Sequence, residues 1–475
     1  SMPPHQCRTQ GSHIMDTMDR KRTMLLLLVS GMMIGWTSPY IAQLTGKQSP
    51  LPITLFEASW VVSLLTLGRL FGAIPGAIFM NYFGGRKTLI IIGVPMLAVW
   101  ICIIFADSVF WLYAARLLAG IALGATFSSF PLFLGEISSS EIRGTLVSFA
   151  MYGLSLGILV GNVIGAYVSM AVFSYISLIP TSIFIVIFIW LPESPHYLIR
   201  RDRIEDAKIS IARYNPEANV ELEMNSLMDF IRASDSIRFV DRLREFNIPE
   251  NRKAGMIIII LFTFMQLSGV NTILFYMETI LVNGGMTLIR PATMVIIAGT
   301  IGNLAGILSI CLADRCGRKM LMLTSSCGVG ASMLAIGAHF TLLEGGFDPV
   351  KLQWLLMLAL VSWEAFVFIG LCPVPSMVVS ELFAPNIKSI AACIGSISIG
   401  LFSFLSSKTY QPLLDLIGVD YLYWLYAVIM MISMLFALEV MPETKGKSLQ
   451  EIQNSLHNKY VPSYLIQSIQ ALVEE

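Results

Sequence analysis

The chain has 475 residues, of which 55% are apolar and 13% are charged, and its mean hydropathy is +0.72. Soluble domains have about 25% charged residues, so this composition excludes an ordinary soluble protein and predicts one that resides in a membrane. The formal net charge is zero and gives no indication of a nucleic acid or an acidic surface as a partner.

The polar segments lack the patterns of a catalytic or cofactor site. They contain no nucleophile–base arrangement, and the seven cysteines have neither zinc-ligand spacing nor a paired extracellular framework. The glycine-rich turn at 84–87 lacks the strand and helix context of a nucleotide site. We therefore predict a protein that is not an enzyme, with no metal, no cofactor and no obligate protein partner.

Twelve apolar runs are long enough to cross a bilayer, which requires about 20 mostly apolar residues. In the first half of the sequence they cover 23–42, 57–80, 88–106, 110–133, 146–170 and 172–191. In the second half they cover 254–277, 291–313, 319–341, 353–378, 389–410 and 420–441. The first run has no small-residue cleavage site, so we predict a retained helix rather than a signal peptide. The pattern predicts an all-α membrane protein with twelve transmembrane helices.

Polar segments divide the chain into five parts. These are a cytoplasmic N-terminal segment (1–22), an N-terminal six-helix bundle (23–191), a cytoplasmic linker (192–253), a C-terminal six-helix bundle (254–441) and a cytoplasmic tail (442–475). The linker has helical periodicity at 204–214 and 222–231 with mixed charges. This favours amphipathic helices on the cytoplasmic face over a specific partner site.

The distribution of basic residues predicts the orientation. If both termini are in the cytosol, 25 of the 31 Lys and Arg residues are cytosolic. The exceptions are four on the extracellular side (Lys47, Arg290, Lys351, Lys408) and two in spans (Arg69, Arg116). Basic residues concentrate in cytoplasmic loops, so we predict cytoplasmic termini.

The two halves carry matching motifs at their cytoplasmic ends. The turn at 81–87 after the second span resembles the turn at 314–319 after the eighth. Glu136 and Arg143 recur as Glu381 and Lys388 with the same spacing. Parallel repeats of six helices are typical of transporters that hold a substrate between two rocking halves.

Seven motifs occur in the order found in the sugar-porter family of the major facilitator superfamily, which this chain resembles. They are Arg116-x3-Gly120-x3-Gly124, Pro131-x4-Glu136-x6-Arg143-Gly144, Pro192-Glu193-Ser194-Pro195, Gln266-x-Ser268-Gly269-x-Asn271, Asp314-x2-Gly317-Arg318-Lys319, Pro373-x-Pro375-x5-Glu381-Leu382-Phe383 and Pro442-Glu443-Thr444-Lys445-Gly446-x-Ser448-Leu449. The stretch Gly35-Trp36-Thr37-Ser38-Pro39 is similar in particular to the insect facilitated trehalose transporters. The resemblance implies the major facilitator fold and the transport of a sugar across the plasma membrane.

The resemblance also implies which residues contact the solute. Members of the family bind hexose hydroxyls with amide side chains in spans five, seven, eight and eleven, and this chain retains Gln266 and Asn271 in span seven. The weaker candidates for solute contact are Thr37, Asn162, Asn303, Ser376 and Ser403.

Other sugar-contact positions of the family are changed in this chain. The family has two glutamines, a tryptophan and an Asn-Trp pair at positions that hold Met151, Met265, Ser376 and Ile399-Gly400 in this chain. Because each lost amide removes a hydrogen bond worth about 1 kcal/mol, we expect weaker binding of glucose, and the sequence leaves the exact solute open. Proton-coupled members carry an acid where this chain has Thr37, so we expect facilitated diffusion rather than symport.

Charged residues at the inner ends of the spans are predicted to form a gate. They are Arg86, Glu136, Arg143, Glu193, Asp314, Arg318, Glu381, Lys388 and Glu443. Exposed ion pairs contribute about 0–1 kcal/mol each, so several of them could balance two conformations. The alternative is that these side chains only anchor the helix ends at the membrane surface.

Two spans carry residues that break a helix, Gly269 in span seven and Pro373 with Pro375 in span ten. Irregular backbone at membrane depth is tolerated where it lines a cavity. We therefore predict two gating helices, with packing kinks as the alternative.

Arg69 lies near the middle of the second span, where a charge costs about 2.5–3.5 kcal/mol on insertion scales. The sequence leaves three interpretations of Arg69 open. The side chain packs against a carboxylate or lipid headgroup, lies in a polar cavity, or recognises an anionic solute. Glu364 is the other charge in mid-span.

The predicted function is facilitated diffusion of a sugar, hexose or trehalose-like, by alternating access. One alternative keeps the fold but changes the cargo to a less hydroxylated or anionic solute. The other is a nutrient sensor that does not transport.

Overall fold

The computed structural model describes residues 24–46, 49, 51–137, 143–214, 219–235, 244–383, 385–445, 447 and 451–452. Almost all of these residues are helical, and no β-strand occurs within these ranges. The helices are labelled α1 to α15 in chain order.

The first half consists of six helices that alternate in direction through the membrane. They are α1 (Met24–Leu44), α2 (Leu55–Phe83), α3 (Gly85–Ile104), α4 (Val109–Ile137), α5 (Arg143–Gly165) and α6 (Met170–Ile189). Three amphipathic helices of the linker follow, α7 (Pro195–Arg200), α8 (Ile204–Tyr214) and α9 (Val220–Asp235). The two linker helices that the periodicity predicts are therefore present.

The second half repeats the arrangement of six helices. They are α10 (Pro249–Asn283), α11 (Pro291–Cys316), α12 (Arg318–Glu344), α13 (349–382), α14 (Pro385–Ile417) and α15 (Val419–Glu439). Of the described helices, 11 are long and apolar enough to cross a bilayer, and the apolar part of α5, Tyr152–Gly165, is shorter. A helix thus occupies the place of each of the twelve predicted spans.

Several helices extend a turn or more beyond the apolar runs that predict them. The start of α2 shows the reason, because Thr54 and Glu57 form a reciprocal capping box there. Asp348 likewise caps α13 by accepting the N–H of Val350. Polar residues at the membrane surface extend each helix to its cap, so the apolar runs predict helices that are shorter than those in the structure.

Glycines bring the helices of the first half into close contact. A Cβ at Gly120 would lie 2.2 Å from the carbonyl oxygen of Leu65, and one at Gly124 would lie 2.1 Å from that of Arg69. The pair α1 and α5 makes the same contact, because a Cβ at Gly157 would lie 2.1 Å from the oxygen of Leu28. Small residues permit this backbone approach in membranes, so the glycines in α4 have a packing role.

Two spans of the second half contain a π-helical segment at membrane depth. In α10 it covers Gln266–Val270, and Gly269 has a φ of 82°. In α13 it covers Val367–Leu371, immediately before the helix that starts at Pro373. Both predicted breaks are present, and they divide α10 and α13 into inner and outer parts.

Candidate functional site

The π-helical segment of α10 places two amide side chains against each other. Residues five apart on an α-helix are separated by about 1.4 turns, whereas a π turn returns to the same side after five residues. Here Asn271 Nδ2 donates to Gln266 Oε1 at 2.8 Å, and Asn271 Oδ1 accepts from Ser403 Oγ of α14 at 3.2 Å. All three side chains are buried. We call Gln266, Asn271 and Ser403 the amide cluster.

Two further candidate asparagines have acceptor atoms without a partner. The Oδ1 atoms of Asn162 in α5 and Asn303 in α11 are buried and have no hydrogen bond among the described residues. Asn303 Nδ2 donates to Gly299 O at 2.8 Å and reaches Ser155 O of α5 at 3.4 Å. This residue therefore lies where the two halves meet. Buried acceptors are normally satisfied, so these two oxygens fit donors supplied by a solute or by water.

The remaining two candidates lie in other surroundings. Thr37 Oγ1 accepts from Arg116 Nη2 at 2.5 Å, and Arg116 also donates to the carbonyls of Met33 and Val61. This arginine ties α4 to α1 and α2, and it occupies the Thr37 oxygen. Ser376 is exposed on the inner part of α13. The structure thus brings together only part of the candidate set.

At the outer ends, two contacts join the halves. Ser38 Oγ of α1 accepts the N–H of Glu278 in α10 at 3.2 Å. On the other side, Lys408 Nζ of α14 donates to Ser59 Oγ of α2 at 3.2 Å. The same ammonium lies 3.8 Å from the ring centroid of Trp60 and 5.0 Å from that of Phe56.

Sequence reasoning missed the role of Lys408, which it counted only as an outside charge. The available signal was the pair Phe56 and Trp60, four residues apart on one face of α2. Tyr276 and Ser406 were missed as well, and their side-chain oxygens are buried without a partner among the described residues. Nothing local in the sequence shows that α14 lies opposite α2.

At the inner ends, each half contains the same carboxylate clamp. In the first half, Glu193 accepts the N–H groups of Arg86 at 2.8 Å and Lys87 at 3.4 Å, at the start of α3. In the second half, Glu443 accepts those of Arg318 and Lys319, both at 3.1 Å, at the start of α12. A carboxylate is favoured at a helix N-terminus because of the free N–H groups and the helix dipole.

A second carboxylate lies beside each clamp. Ser194 donates to Glu136, and Thr444 donates to Glu381. Arg318 Nη2 lies 2.8 Å from Glu381 Oε1, and Arg86 Nε lies 3.9 Å from Glu193 Oε2. These ion pairs lie within one half, so they brace each bundle. The side chains of three further gate candidates, Arg143, Asp314 and Lys388, lie outside the described residues, as does that of Met151.

Hydrogen bonding at the second clamp makes its stability sensitive to acid. Burial alone would raise the pKa of Glu443, but the N–H groups of Lys445, Arg318, Lys319 and Thr444 outweigh it and hold the pKa below the ordinary 4.5. A lowered carboxyl pKa stabilises the fold fully above the unfolded value and loses that contribution as pH falls through the folded value. We expect Glu443→Gln to lower the melting temperature in detergent at neutral pH, with the difference from the parent shrinking below about pH 4.5. A difference that stays constant down to pH 3 would contradict this role.

Repeated six-helix halves with broken helices at membrane depth are typical of membrane carriers. The match to known families agrees: residues 29–456 match the family described as "Sugar (and other) transporter". The chain belongs to that family.

Curated relatives that resemble the chain are proteins named "Facilitated trehalose transporter Tret1". The Bombyx mori protein is 30% identical over 430 residues, which cover 90% of this chain and 84% of that protein. The Polypedilum vanderplanki protein is 29% identical over 434 residues, with 90% and 86% covered. The Drosophila pseudoobscura pseudoobscura protein is 29% identical over 431 residues, and this chain spans about half of it.

Solved structures of the xylose transporter XylE share the fold. The inward open conformation from E. coli has a TM-score of 0.75 at 20% identity and covers 92% of this chain and 99% of that one. The proton:xylose symporter XylE bound to 6-bromo-6-deoxy-D-glucose has a TM-score of 0.72 at 21% identity, with the same coverage. The predicted major facilitator architecture of two six-helix bundles is confirmed.

Proposed function

We propose that the chain is a uniporter that carries a sugar across the plasma membrane by facilitated diffusion, with both termini in the cytosol. The observation that carries this proposal is the amide cluster at the break of α10, with donors and acceptors in the pattern that sugar hydroxyls require. Asn303 adds an unpartnered oxygen in the same half, and Asn162 adds one in the other half. The facilitated trehalose transporters among the relatives support the same class of solute.

Alternating access requires that the two ends of the cavity open in turn. Contacts between the halves at Ser38–Glu278 and at Lys408 hold the outer ends together in this conformation. The inner clamps keep each half rigid, because their ion pairs stay within one bundle. The six-helix bundles at 23–191 and 254–441 then move as units about the amide cluster, with the linker 192–253 on the cytoplasmic side.

Binding at the amide cluster couples solute to the movement. Gln266 begins the π-helical segment that separates the two parts of α10, and Asn271 directly follows it. Ser403 belongs to α14, which packs on α2. A solute bound there contacts α10, whose two parts change their angle, and α14, which lies at the interface of the halves. Its binding energy can therefore differ between the two conformations, which is the requirement for shifting their populations.

Uptake by purified protein in liposomes tests the proposal. We expect saturable uptake of labelled glucose or trehalose that does not change when a proton gradient is imposed or dissipated. Empty liposomes and liposomes with heat-denatured protein are the controls. Uptake of both sugars at the level of empty liposomes would overturn the sugar assignment, and uptake that requires the proton gradient would overturn facilitated diffusion.

Lys408 provides a test of the outer gate. Cation–π contacts contribute about 0.5–2 kcal/mol, so Lys408→Met should shift the outer ends toward the open state by a few-fold to about 30-fold. Thr279→Cys, at a position whose hydroxyl is buried in α10, reports opening through its reaction with an impermeant thiol reagent in a background without other cysteines. We expect faster labelling in Lys408→Met and no change in Lys351→Met, whose residue is exposed. If the cysteine at position 279 reacts in Lys408→Met at the same rate as with Lys408 present, or more slowly, Lys408 does not hold the outer ends closed.

A further inference from the structure

Arg69 is a partly buried arginine whose charge the solute site described so far does not use. It lies at the middle of α2, and its Cζ atom is 4.4 Å from the ring centroid of Phe127 in α4. Within the described residues its guanidinium has no hydrogen bond and no ion pair. Arg116, the other arginine in mid-span, donates three hydrogen bonds to its own half. Arg116 is therefore a structural tie, whereas the five N–H donors of Arg69 remain available.

Arg69 lies between the two halves, next to the break of α13. Its guanidinium lies near the thiol of Cys372, which directly follows the π-helical segment of that helix. Leu70, the next residue of α2, packs against α14. A Cβ at Gly400 of α14 would lie 2.9 Å from the Cα of Leu70. Irregular backbone at this depth is buried in protein or lines a cavity, so a guanidinium beside it faces the interior of the bundle rather than lipid.

The amide cluster is close to the same level of the bundle. Ser403 lies three residues after Gly400, on the same face of α14. These three residues correspond to a rise of roughly 4.5 Å along α14. A hexose-sized solute held by Ser403 and Asn271 would therefore reach the level of Leu70 and Arg69.

Glu364 does not neutralise Arg69 by direct pairing. Its carboxyl packs on α11, where a Cβ at Gly302 would lie 2.5 Å from its Cγ, and its Oε2 atom is buried without a partner among the described residues. Cys372 lies near both groups. The cation in the first half and the carboxyl in the second half are therefore neighbours that form no ion pair among the described residues.

From this geometry we propose that Arg69 binds a carboxylate of the solute, so that the preferred cargo is a sugar acid rather than a neutral sugar. The proposal rests on the proposed function, because the amide cluster binds the hydroxyls of the same molecule. A guanidinium matches a carboxylate with two parallel N–H donors. A single positive charge with a carboxyl nearby favours a monoanion over the dianion of a sugar phosphate. The loss of amides at Met265 and Ile399 agrees with a site that recognises fewer hydroxyls.

Glucuronate and glucose form a matched pair of probes, because they differ only in a carboxylate or a hydroxymethyl group at one carbon. We expect wild-type protein in liposomes to take up glucuronate at least about tenfold more efficiently than glucose, as a charge-assisted bond implies. Glucuronate uptake should also respond to a potassium diffusion potential, since it moves net charge, while glucose uptake should not. Glucose 6-phosphate should inhibit glucuronate uptake more weakly than unlabelled glucuronate does.

Arg69→Gln removes the charge and keeps hydrogen-bonding atoms, and Arg69→Lys keeps the charge. We expect Arg69→Gln to lose the preference for glucuronate while retaining glucose uptake, and Arg69→Lys to retain part of the preference. Three results would overturn the sugar-acid inference but leave the proposed function standing. They are wild-type uptake of glucose at or above that of glucuronate, an unchanged preference for glucuronate in Arg69→Gln, and stronger inhibition by glucose 6-phosphate than by unlabelled glucuronate. Absence of uptake of both solutes by the wild type would overturn the proposed function together with it.

Discussion

Replacing Asn271 with leucine is expected to weaken solute binding by about tenfold to a hundredfold. The leucine side chain has a similar size but removes the donor to Gln266 and the acceptor for Ser403. Losing one partner of a buried hydrogen bond costs about 1–3 kcal/mol, and each 1.4 kcal/mol is a factor of about ten in affinity. The solute thus loses its contacts with Asn271, and Gln266 and Ser403 lose the partner that fixes their orientation.

The matched control is another buried amide that lies away from the cavity. Gln353 of α13 accepts the N–H groups of Thr287 and Leu288 at the outer surface. We expect Gln353→Leu to lower the melting temperature but to leave the concentration for half-maximal uptake unchanged. Asn271→Leu should instead raise that concentration in addition to lowering the melting temperature. If the two variants show the same loss of affinity, the amide cluster is not the solute site.

Replacing Gly317 with alanine is expected to cause the largest loss of stability among single methyl additions at the inner face. The φ of this glycine is 85° and its ψ is 163°, a conformation that is essentially restricted to glycine. A Cβ there would also lie 2.5 Å from Glu443 Oε2. The substitution therefore combines backbone strain of about 1–3 kcal/mol with displacement of the carboxylate from the N-terminus of α12.

Gly418 separates these two effects. Its φ of 90° and ψ of 166° match those of Gly317, but a Cβ there would meet only Asp420 Oδ1, at 3.3 Å. We expect Gly317→Ala to destabilise the protein by about 1.5–3 kcal/mol more than Gly418→Ala, since hydrogen bonds to a charged group are lost only in the former. Thermal unfolding of both variants in the same detergent measures the difference. Equal melting temperatures would show that the clamp at Glu443 adds nothing to stability.

Local sequence patterns predict the parts of this molecule that depend on local physics. Apolar runs predict the spans, and Gly269 and Pro373 predict the breaks in α10 and α13. The repeated glycine and carboxylate motifs predict two equivalent inner ends, which Glu193 and Glu443 then show in the structure. Each of these features follows from the composition of one helix or one turn.

Features that depend on which helices are neighbours could not be predicted in the same way. Gln266 and Asn271 meet only because the backbone between them adopts a π turn, and hydropathy does not distinguish that turn from an α-helix. Lys408 reaches Trp60, and Arg69 approaches Cys372, only because the two halves face each other. The gate at the inner ends stays a prediction. In this conformation Arg86–Glu193 and Arg318–Glu381 each join residues of one half, since Glu193 follows the last span of the first bundle and Glu381 ends α13 in the second.

Solute counterflow tests the central claim, that the chain is a carrier which exposes the amide cluster alternately to the two sides. Liposomes with purified protein are loaded with unlabelled glucose, diluted into labelled glucose, and followed without a proton gradient. A carrier with one alternately exposed site gives a transient accumulation of label above the external concentration in the wild type, and Asn271→Leu should give little or none. Simple equilibration without this transient in the wild type, or a transient of unchanged size in Asn271→Leu, would contradict the account.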